Sequence, residues 1–435
     1  MSKKLIIITL LIVCFLGIST IARSQNEEIA PDDARREAVN LFLDCFSCDM
    51  NYVRQEIPYV NYVRDVKEAD VYVLVTTQNA GSGGNQYTYT FEGQYDFSGM
   101  SDTLTYTSNP DQSTTEVREN RTNLLKMGLM RFVAQTPLAS EVRISHDPSL
   151  EQEEVVDNWN YWVFELQTSP RFNSEKLYKR RVISNEINIS KVTPDIKVEL
   201  RLDQSNNKQK YIFDDGTNVT YIRKSNSFNG LLVRSLTNHW STGITWQLES
   251  STNSNYDLNA EFMPAVEYDI YPYEEATHRQ LRVLYSAGYQ YSDYIDTTIN
   301  NLTKENLFKQ QVRLAYQVQE KWGSINVSLS GSNYFHDWSK NRLELDGFIR
   351  LRIIKGLSLS VNGGVAYIND QLNLIKGDLT EAERLLRLKE QATNFTIEGG
   401  LSLTYTFGSI YNNVVNPRFG RNRRGGGGGG MGGFF

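Results

Sequence analysis

The chain has 435 residues, with 45 Lys and Arg against 51 Asp and Glu and a net charge of −6. This length allows two domains, and the negative charge gives no electrostatic case for nucleic-acid binding. The mean hydropathy of −0.45 does not exclude a membrane protein, because lipid-facing and lumen-facing residues alternate in a β-barrel and cancel in the average.

The first 24 residues have the pattern of a secretory signal peptide. Lys3 and Lys4 precede an apolar run over 5–20, and Ala22-Arg-Ser is a small-x-small cleavage site before Gln25. This run is shorter than the roughly 20 residues that a transmembrane helix needs. Cleavage after residue 24 is therefore predicted, with an uncleaved anchor helix as the alternative. No later apolar run is long enough for such a helix, so membrane residence would be through strands.

Residues 25–137 mix helical and strand patterns and are predicted to form a small periplasmic α+β domain. Strands are expected at 39–43, 70–77, 86–95 and 102–107, and helices at 48–60 and 114–134. The second helix is expected to be capped by Thr114 or Thr115. Residues 138–158 are acidic and irregular, as in a linker.

From residue 159 to residue 419 apolar and polar residues alternate with a period of two. In the segment 341–354, for example, leucines and isoleucines alternate with Arg, Glu and Asp. Twelve strands are predicted, at 160–168, 176–192, 195–204, 209–223, 230–250, 255–271, 277–292, 304–319, 323–336, 340–354, 356–369 and 393–407. The count is ten if 176–204 is one strand and 209–223 is a turn.

The alternation alone does not say whether the apolar face meets lipid or a protein core, and a soluble sandwich or lipocalin-like barrel is the alternative. The strands are close to the 9–11 residues of a transmembrane strand, whereas strands of globular proteins average about 5–6. Connections are tight at 320–323 and 354–356 but long at 370–393, as in barrels with short periplasmic turns and long outer loops. Together with the signal peptide, these features favour a mainly β fold, an antiparallel transmembrane β-barrel in the cell outer membrane.

The polar faces of the predicted strands carry charges of both signs. The candidate lumen-facing residues are Glu199, Arg201, Asp257, Glu261, Arg282, Arg313, Glu344, Asp346, Arg350, Arg352 and Glu398. They would line a pore and tune its selectivity, or pair across a narrow lumen and fill it, as side chains do in small barrels. Both interpretations stay open on the sequence.

Cys45 and Cys48 are the only closely spaced cysteines. In an oxidising compartment this spacing predicts a structural disulfide across the first turn of a helix. A thioredoxin-type redox site is less favoured, and zinc would need a second cysteine pair. His239 and Ser241 share a strand face, but no triad motif is present. No catalytic, cofactor-binding or metal-binding residue is predicted, and Asp214-Asp-Gly is interpreted as a turn rather than a calcium loop.

Several segments carry a family resemblance: Trp159-Asn-Tyr-Trp-Val-Phe, Asn238-His-Trp-Ser, Glu267-Tyr-Asp-Ile-Tyr-Pro-Tyr, Trp322-Gly-Ser, Lys355-Gly-Leu-Ser and the stretch from Tyr405 to Phe419. In these residues the chain resembles a Gram-negative outer-membrane β-barrel family of unknown function, related to proteins described as salt-induced outer-membrane proteins. The resemblance implies a barrel and no particular activity. The glycine-rich residues 420–435 lie outside it and have the composition of a flexible tail.

The sequence thus predicts a non-enzymatic outer-membrane barrel, either a narrow channel or a structural envelope protein with a periplasmic adaptor domain. The alternatives are a barrel enzyme acting on lipid and a periplasmic binding module anchored by the barrel. Outer-membrane lipid is the expected partner of a monomeric protein, with a periplasmic protein or peptidoglycan as a further partner. No cofactor, metal or nucleic acid is expected.

Overall fold

The computed structural model describes residues 38–141, 157–386 and 388–406. The predicted signal peptide (1–24), most of the predicted linker, the segment 407–419 and the tail at 420–435 lie outside the described residues. None of the helices in the described ranges is long and apolar enough to cross a membrane.

The N-terminal region is a five-stranded mixed sheet with helices. Its elements are β1 (Asn40–Asp44), α1 (Met50–Glu56), β2 (Asn61–Tyr62), β3 (Val71–Asn79), β4 (Asn85–Gly93), β5 (Ser101–Thr107) and α2 (Thr114–Val133). The strand order is β2-β1-β3-β4-β5. β1 runs parallel to β2 and β3, whereas β3, β4 and β5 are antiparallel. The expected α+β pattern is present, with the short strand β2 as an addition that the sequence did not indicate.

Helix α2 packs one face of this sheet into a hydrophobic core. Its buried side chains include Leu125, Leu129 and Phe132, which belong to one cluster with Tyr89 and Phe91 of β4. A Cβ at Gly128 would lie 2.1 Å from the Phe91 ring, so glycine is required for this close approach.

The N-cap of α2 is Ser113, and the prediction of Thr114 or Thr115 was wrong by one or two residues. The Ser113 hydroxyl accepts a hydrogen bond from the Glu116 amide at 3.2 Å, and the Glu116 carboxylate accepts one from the Ser113 amide at 2.7 Å. This reciprocal pair satisfies two free amides of the first turn. Hydrogen bonding of the Glu116 carboxylate to the Ser113 hydroxyl and to the Ser113 amide lowers the pKa of Glu116.

The second sheet has twelve strands in sequential order, each antiparallel to the next. The strands are β6 (Trp162–Ser174), β7 (Tyr178–Val192), β8 (Ile196–Ile212), β9 (Asn218–Ser235), β10 (Trp240–Ser251), β11 (Tyr256–Asp269), β12 (Arg279–Tyr294), β13 (Lys304–Glu320), β14 (Gly323–Tyr334), β15 (Asp337–Ile354), β16 (Leu357–Ile368) and β17 (Phe395–Tyr405). A short helix, α3 (Glu381–Leu385), lies between β16 and β17. The strand count of twelve is confirmed, and the protein is mainly β.

Several predicted strand boundaries were wrong. The strand predicted at 160–168 extends to Ser174, and the strand predicted at 209–223 is broken by a turn at 213–217. Residues 205–208, which separate the predicted strands 195–204 and 209–223, lie inside β8, where they pair with β7 and β9. The predicted strand 230–250 is broken by a turn at 236–239. Cross-strand pairing on both sides holds a polar segment extended, a constraint that local composition does not reveal. The predicted turn at 214–216 is present, with Gly216 at a φ of +83°.

Within the described residues the twelve-stranded sheet is not closed. β6 pairs with β7 and β17 pairs with β16, and no pairing joins β6 to β17. β6 begins and β17 ends at the same end of the sheet, which we call the domain end; the opposite end is the loop end. The tight connections at 321–322 and 355–356 and the nine-residue connection at 270–278 lie at the domain end, whereas the tight connection at 335–336 and the long connection at 369–394 lie at the loop end.

Candidate functional site

The twelve-stranded sheet exposes its apolar side chains and buries polar ones. On β15, Leu343 and Leu345 are 51% and 45% exposed. On the other face, Ser286, Gln290 and Ser292 of β12 are at most 5% exposed. This distribution is the reverse of that in a water-soluble protein, where large apolar side chains avoid solvent. We call the apolar face the outer face and the polar face the inner face.

Most of the predicted lumen charges lie on the inner face, where several form ion pairs. Arg201 contacts Glu186 at 3.2 Å and Asp203 at 2.9 Å. The other pairs are Lys309–Glu261 at 3.3 Å, Arg282–Glu267 at 4.0 Å and Arg342–Glu344 at 2.9 Å. Glu199 pairs with Lys197 at 2.9 Å. Positive and negative side chains are therefore neighbours on the inner face, which does not carry charges of a single sign.

The remaining predicted charges differ in their surroundings. By strand alternation Arg313, Asp346, Arg350 and Glu398 are also on the inner face. Glu398 is exposed, because β17 is an edge strand. Asp257 is the exception: a β-bulge places it between the paired residues Tyr256 and Leu258, and it is exposed. The extra residue of a bulge breaks the two-residue alternation, so the sequence pattern misplaces Asp257.

The long connection at 369–394 covers the loop end of the inner face. Asn373 donates hydrogen bonds to the Ser254 carbonyl at 3.0 Å and to Glu390 at 2.6 Å. Asn255 donates to the carbonyl of Asn373 at 3.0 Å, and Thr298 forms an isolated β-bridge with Ile375. Three loops are thereby tied together at the loop end of the sheet.

A hydrogen-bonded polar cluster fills the inner face beneath these loops. Ser292 donates to Asn259 at 2.8 Å, Gln290 donates to the same Asn259 oxygen at 3.0 Å, and the Tyr334 hydroxyl reaches Gln290 at 3.5 Å. All four side chains are at most 7% exposed. A satisfied buried network of this kind is rigid, because opening it would leave unpaired polar atoms.

The N-terminal sheet covers the domain end, and three ion pairs join the two. Arg352 pairs with Asp44 at 2.7 Å, Lys321 with Glu92 at 2.5 Å, and Lys355 with Glu68. The amide of Gly356 also donates to Asp65 at 3.2 Å. The two lysines come from the tight turns 321–322 and 355–356, which the sequence identified as turns but not as docking sites.

Aromatic side chains complete this junction. The Arg352 guanidinium lies 5.2 Å from the centre of the Phe42 ring, and Lys321 lies 5.3 Å from that of Tyr72. Tyr72 is 1% exposed and donates a hydrogen bond to Asp44 at 3.0 Å. Burial, and then the charge of Asp44, raises the pKa of Tyr72 well above its usual value. The phenol therefore stays protonated and keeps donating at any physiological pH.

A cleft of about 790 Å³ lies between the N-terminal region and the start of β6. The disulfide between Cys45 and Cys48 is at its edge. The bond is present, but both cysteines precede α1, so it does not lie across the first turn of the helix as the spacing predicted. Arg121 of α2 is 9% exposed and donates to Tyr89 at 3.3 Å and to the Cys48 sulfur at 3.3 Å. Its guanidinium lies 4.2 Å from the centre of the Tyr87 ring. Sequence analysis did not single out Arg121.

The residues considered for catalysis do not form a catalytic pair. His239 Nδ1 is 2.8 Å from the carbonyl oxygen of Asp269, and the Ser241 hydroxyl is 2.8 Å from that of Tyr273. Each side chain is therefore engaged elsewhere, and no hydrogen bond joins the two in the described part of the chain. Over the same residues, no cluster of three or more His, Cys, Asp or Glu side chains is arranged to hold a metal ion.

Comparisons with known proteins add little. No protein-family model matches the chain, and no curated protein matches it. Among solved structures, a "Bacterial polysaccharide outer membrane secretin" is 11% identical, and the match covers 57% of this chain and 90% of that chain with a TM-score of 0.28. At this TM-score the likeness carries no argument, and the family resemblance noted in the sequence stays a prediction.

Proposed function

We propose that this chain is a non-enzymatic outer-membrane protein, a narrow channel whose transmembrane β-barrel is closed at rest by its own N-terminal region. The observation that carries the proposal is the reversed burial of the twelve-stranded sheet. An exposed row of Leu, Val and Ile side chains is favourable against lipid hydrocarbon and unfavourable against water.

The two free edges support closure of the sheet into a barrel. β6 and β17 run in opposite directions and each alternates apolar outer residues with polar inner ones, so an antiparallel pairing would keep both faces continuous. Pro170 lies within β6. Because proline has no amide hydrogen, its nitrogen is tolerated on the free side of an edge strand. Since Pro170 cannot donate a hydrogen bond to β17, pairing between β6 and β17 would be confined to the eight residues 162–169.

The domain end is proposed to face the periplasm. Tight turns are typical of the periplasmic side of such barrels and long loops of the outer side. The N-terminal region then docks on the periplasmic mouth through Asp44, Glu68 and Glu92. Passage through the barrel would require these three ion pairs to break.

Charge reversal tests the closed state. In planar bilayers the wild-type protein is expected to conduct rarely, whereas a D44K/E68K/E92K variant is expected to conduct frequently because its N-terminal region faces like charges. Adding R352E, K355E and K321E restores opposite charges and should return conductance to the wild-type level. The matched control is D96K/D111K/E119K, with the same charge change at exposed acids. If the first variant releases the domain to protease and still does not conduct, the protein is not a channel.

A second function, a periplasmic binding module anchored by the barrel, is favoured by the cleft beside Arg121. This buried guanidinium has no carboxylate partner within the described residues, and a buried cation is commonly paired with an anion. Binding of short peptides or muropeptides with a free carboxylate would be measured by calorimetry on the whole protein. Binding that is lost in R121Q, while conductance stays low in every variant, would favour this function over the channel.

A further inference from the structure

We propose that the outer face of β7 and β8 binds the phosphate groups of an anionic glycolipid in the outer leaflet of the membrane. The site is formed by Lys179, Arg181, Lys208 and Lys210, which we call the basic square. This inference rests on the proposed function, because it requires the sheet to span the outer membrane.

The four cations are brought together by strand register. Arg181 of β7 lies directly opposite Lys208 of β8, and Lys179 lies directly opposite Lys210. Side chains two residues apart share a face of a strand, so all four project from the outer face. Directly opposite Cβ atoms are about 4.5–5.5 Å apart, and like charges in such pairs destabilise a sheet. Two consecutive like-charge pairs are therefore unfavourable unless an anion lies between them.

No protein carboxylate compensates these charges. Across the part of the chain that the structure describes, none of the four forms an ion pair. Their cross-strand neighbours on the other side are Phe172 and Ser174 of β6 and Ile222 and Thr220 of β9, none of which is charged. Lys179, Arg181 and Lys208 are exposed. The surface is therefore open to an anion from outside the protein.

The height of the basic square fits the outer headgroup layer. Lys191 and Arg181 both lie on the outer face of β7, ten residues apart. Between them on this face are three isoleucines, Ile183, Ile187 and Ile189, and Asn185, which is hydrogen-bonded to Thr168 and Gln204 of the neighbouring strands. Ten residues span about 33 Å along a strand, or about 25 Å along the membrane normal at a tilt of about 40°. This equals the apolar band of outer-membrane barrels. With Lys191 at the periplasmic headgroups, Arg181 reaches the headgroups of the outer leaflet.

Phosphate is the anion that this arrangement suits. Arg offers a planar fork of donors to phosphate oxygens, and Lys adds point charges. Two phosphates on one sugar lipid could each lie between one of the like-charge pairs. A cation near an anionic membrane surface contributes about fivefold to binding, so loss of all four should be easily measured.

The test uses the full folded protein in a neutral detergent with three probes: lipid A bearing both phosphates, dephosphorylated lipid A, and inorganic phosphate. The variant is K179Q/R181Q/K208Q/K210Q. The matched control is R171Q/K176Q/R180Q/R223Q. It removes the same number of positive charges from the same part of the sheet, but from the inner face of β6, β7 and β9 and from the turn between β6 and β7. Wild type and control should bind phosphorylated lipid A at least tenfold more tightly than the other two probes, and the variant at least tenfold more weakly than wild type. Added salt should weaken binding to wild type, because exposed charges are screened.

Stability gives an independent readout. Without lipid the variant should unfold at the same temperature as wild type or higher, because it lacks the two repulsive pairs. Phosphorylated lipid A should raise the unfolding temperature of wild type and not that of the variant. Equal lipid A binding by variant and wild type would overturn the inference, as would wild-type binding of inorganic phosphate as tight as that of lipid A. Cell fractionation separates the two proposals. Absence of the wild-type protein from the outer membrane would refute the proposed function. A K179Q/R181Q/K208Q/K210Q variant that reaches the outer membrane and binds lipid A as wild type does would refute only the basic square.

Discussion

The environment of the outer face can be tested at Leu345. This side chain lies near the middle of β15, is 45% exposed, and faces Leu329 and Val365 on the neighbouring strands. Replacing it with arginine puts a charge on the outer face without disturbing a buried core. The change therefore reports whether lipid or water covers this surface.

Lipid and water predict different losses of folding free energy for Leu345→Arg. Arginine on the lipid face near the bilayer midplane costs about 2–4 kcal/mol, which lowers the folding equilibrium constant by roughly 30-fold to 700-fold. At a water-exposed position the same substitution changes stability by about 0.5 kcal/mol or less. The neighbouring Glu344 lies on the inner face and pairs with Arg342 at 2.9 Å. Glu344→Arg loses that pair, which is half-exposed and contributes about 1 kcal/mol or less.

The assay is urea-dependent folding into phospholipid vesicles, with the folded fraction read from the shift between unheated and heated samples on a gel. Ser328→Arg is the matched control, because it adds an arginine on the inner face opposite Asp346. Leu345→Arg is expected to lose far more folded protein than Glu344→Arg or Ser328→Arg. A Leu345→Arg protein as stable as wild type would mean that water covers the outer face, and the barrel proposal would be wrong.

Three further outcomes are expected. N-terminal sequencing of the purified protein should begin at Gln25, and retention of the first residues would contradict the signal-peptide prediction. Cys45→Ala/Cys48→Ala should lower the unfolding temperature of the N-terminal region, because a disulfide restrains the unfolded chain, but should leave insertion of the sheet unchanged. Labelling of free thiols at both positions, in exported protein to which no reductant has been added, would argue against the bond. Deleting 420–435 should leave assembly intact, whereas Tyr405→Ser, at the end of the last described strand, should reduce the yield of heat-modifiable protein. The reverse result would place the assembly signal in the tail.

The sequence predicted strands well where one face was uniformly apolar. β14 and β16 differ from their predicted bounds by at most two residues at either end. It failed at β8, where the outer face changes from leucines to Gln204, Asn206 and Lys208. There the alternation disappears from the sequence, and only the pairing with β7 and β9 keeps the backbone extended.

The charged residues of the candidate site were predictable in part, again because apolar and polar residues alternate along the strands. Alternation assigns a residue to the inner face, so ten of the eleven predicted charges lie there and only the bulge residue Asp257 does not. The partners of those charges are distant in sequence. Arg352 meets Asp44 from the other end of the chain, and no local pattern carries that information.

What the sequence by itself determined is the strand periodicity and the composition of the two faces, because each depends on residues one or two positions apart. It left the number of strands open between twelve and ten, and cross-strand pairing fixes it at twelve. Tertiary structure alone decided which groups meet: the N-terminal sheet at the domain end, the loop 369–394 at the loop end, and the like-charge pairs of the basic square. These contacts depend on cross-strand register and on docking between segments hundreds of residues apart. Their energies come from three-dimensional proximity of charges and hydrogen-bonding groups, which alternation along the chain does not specify.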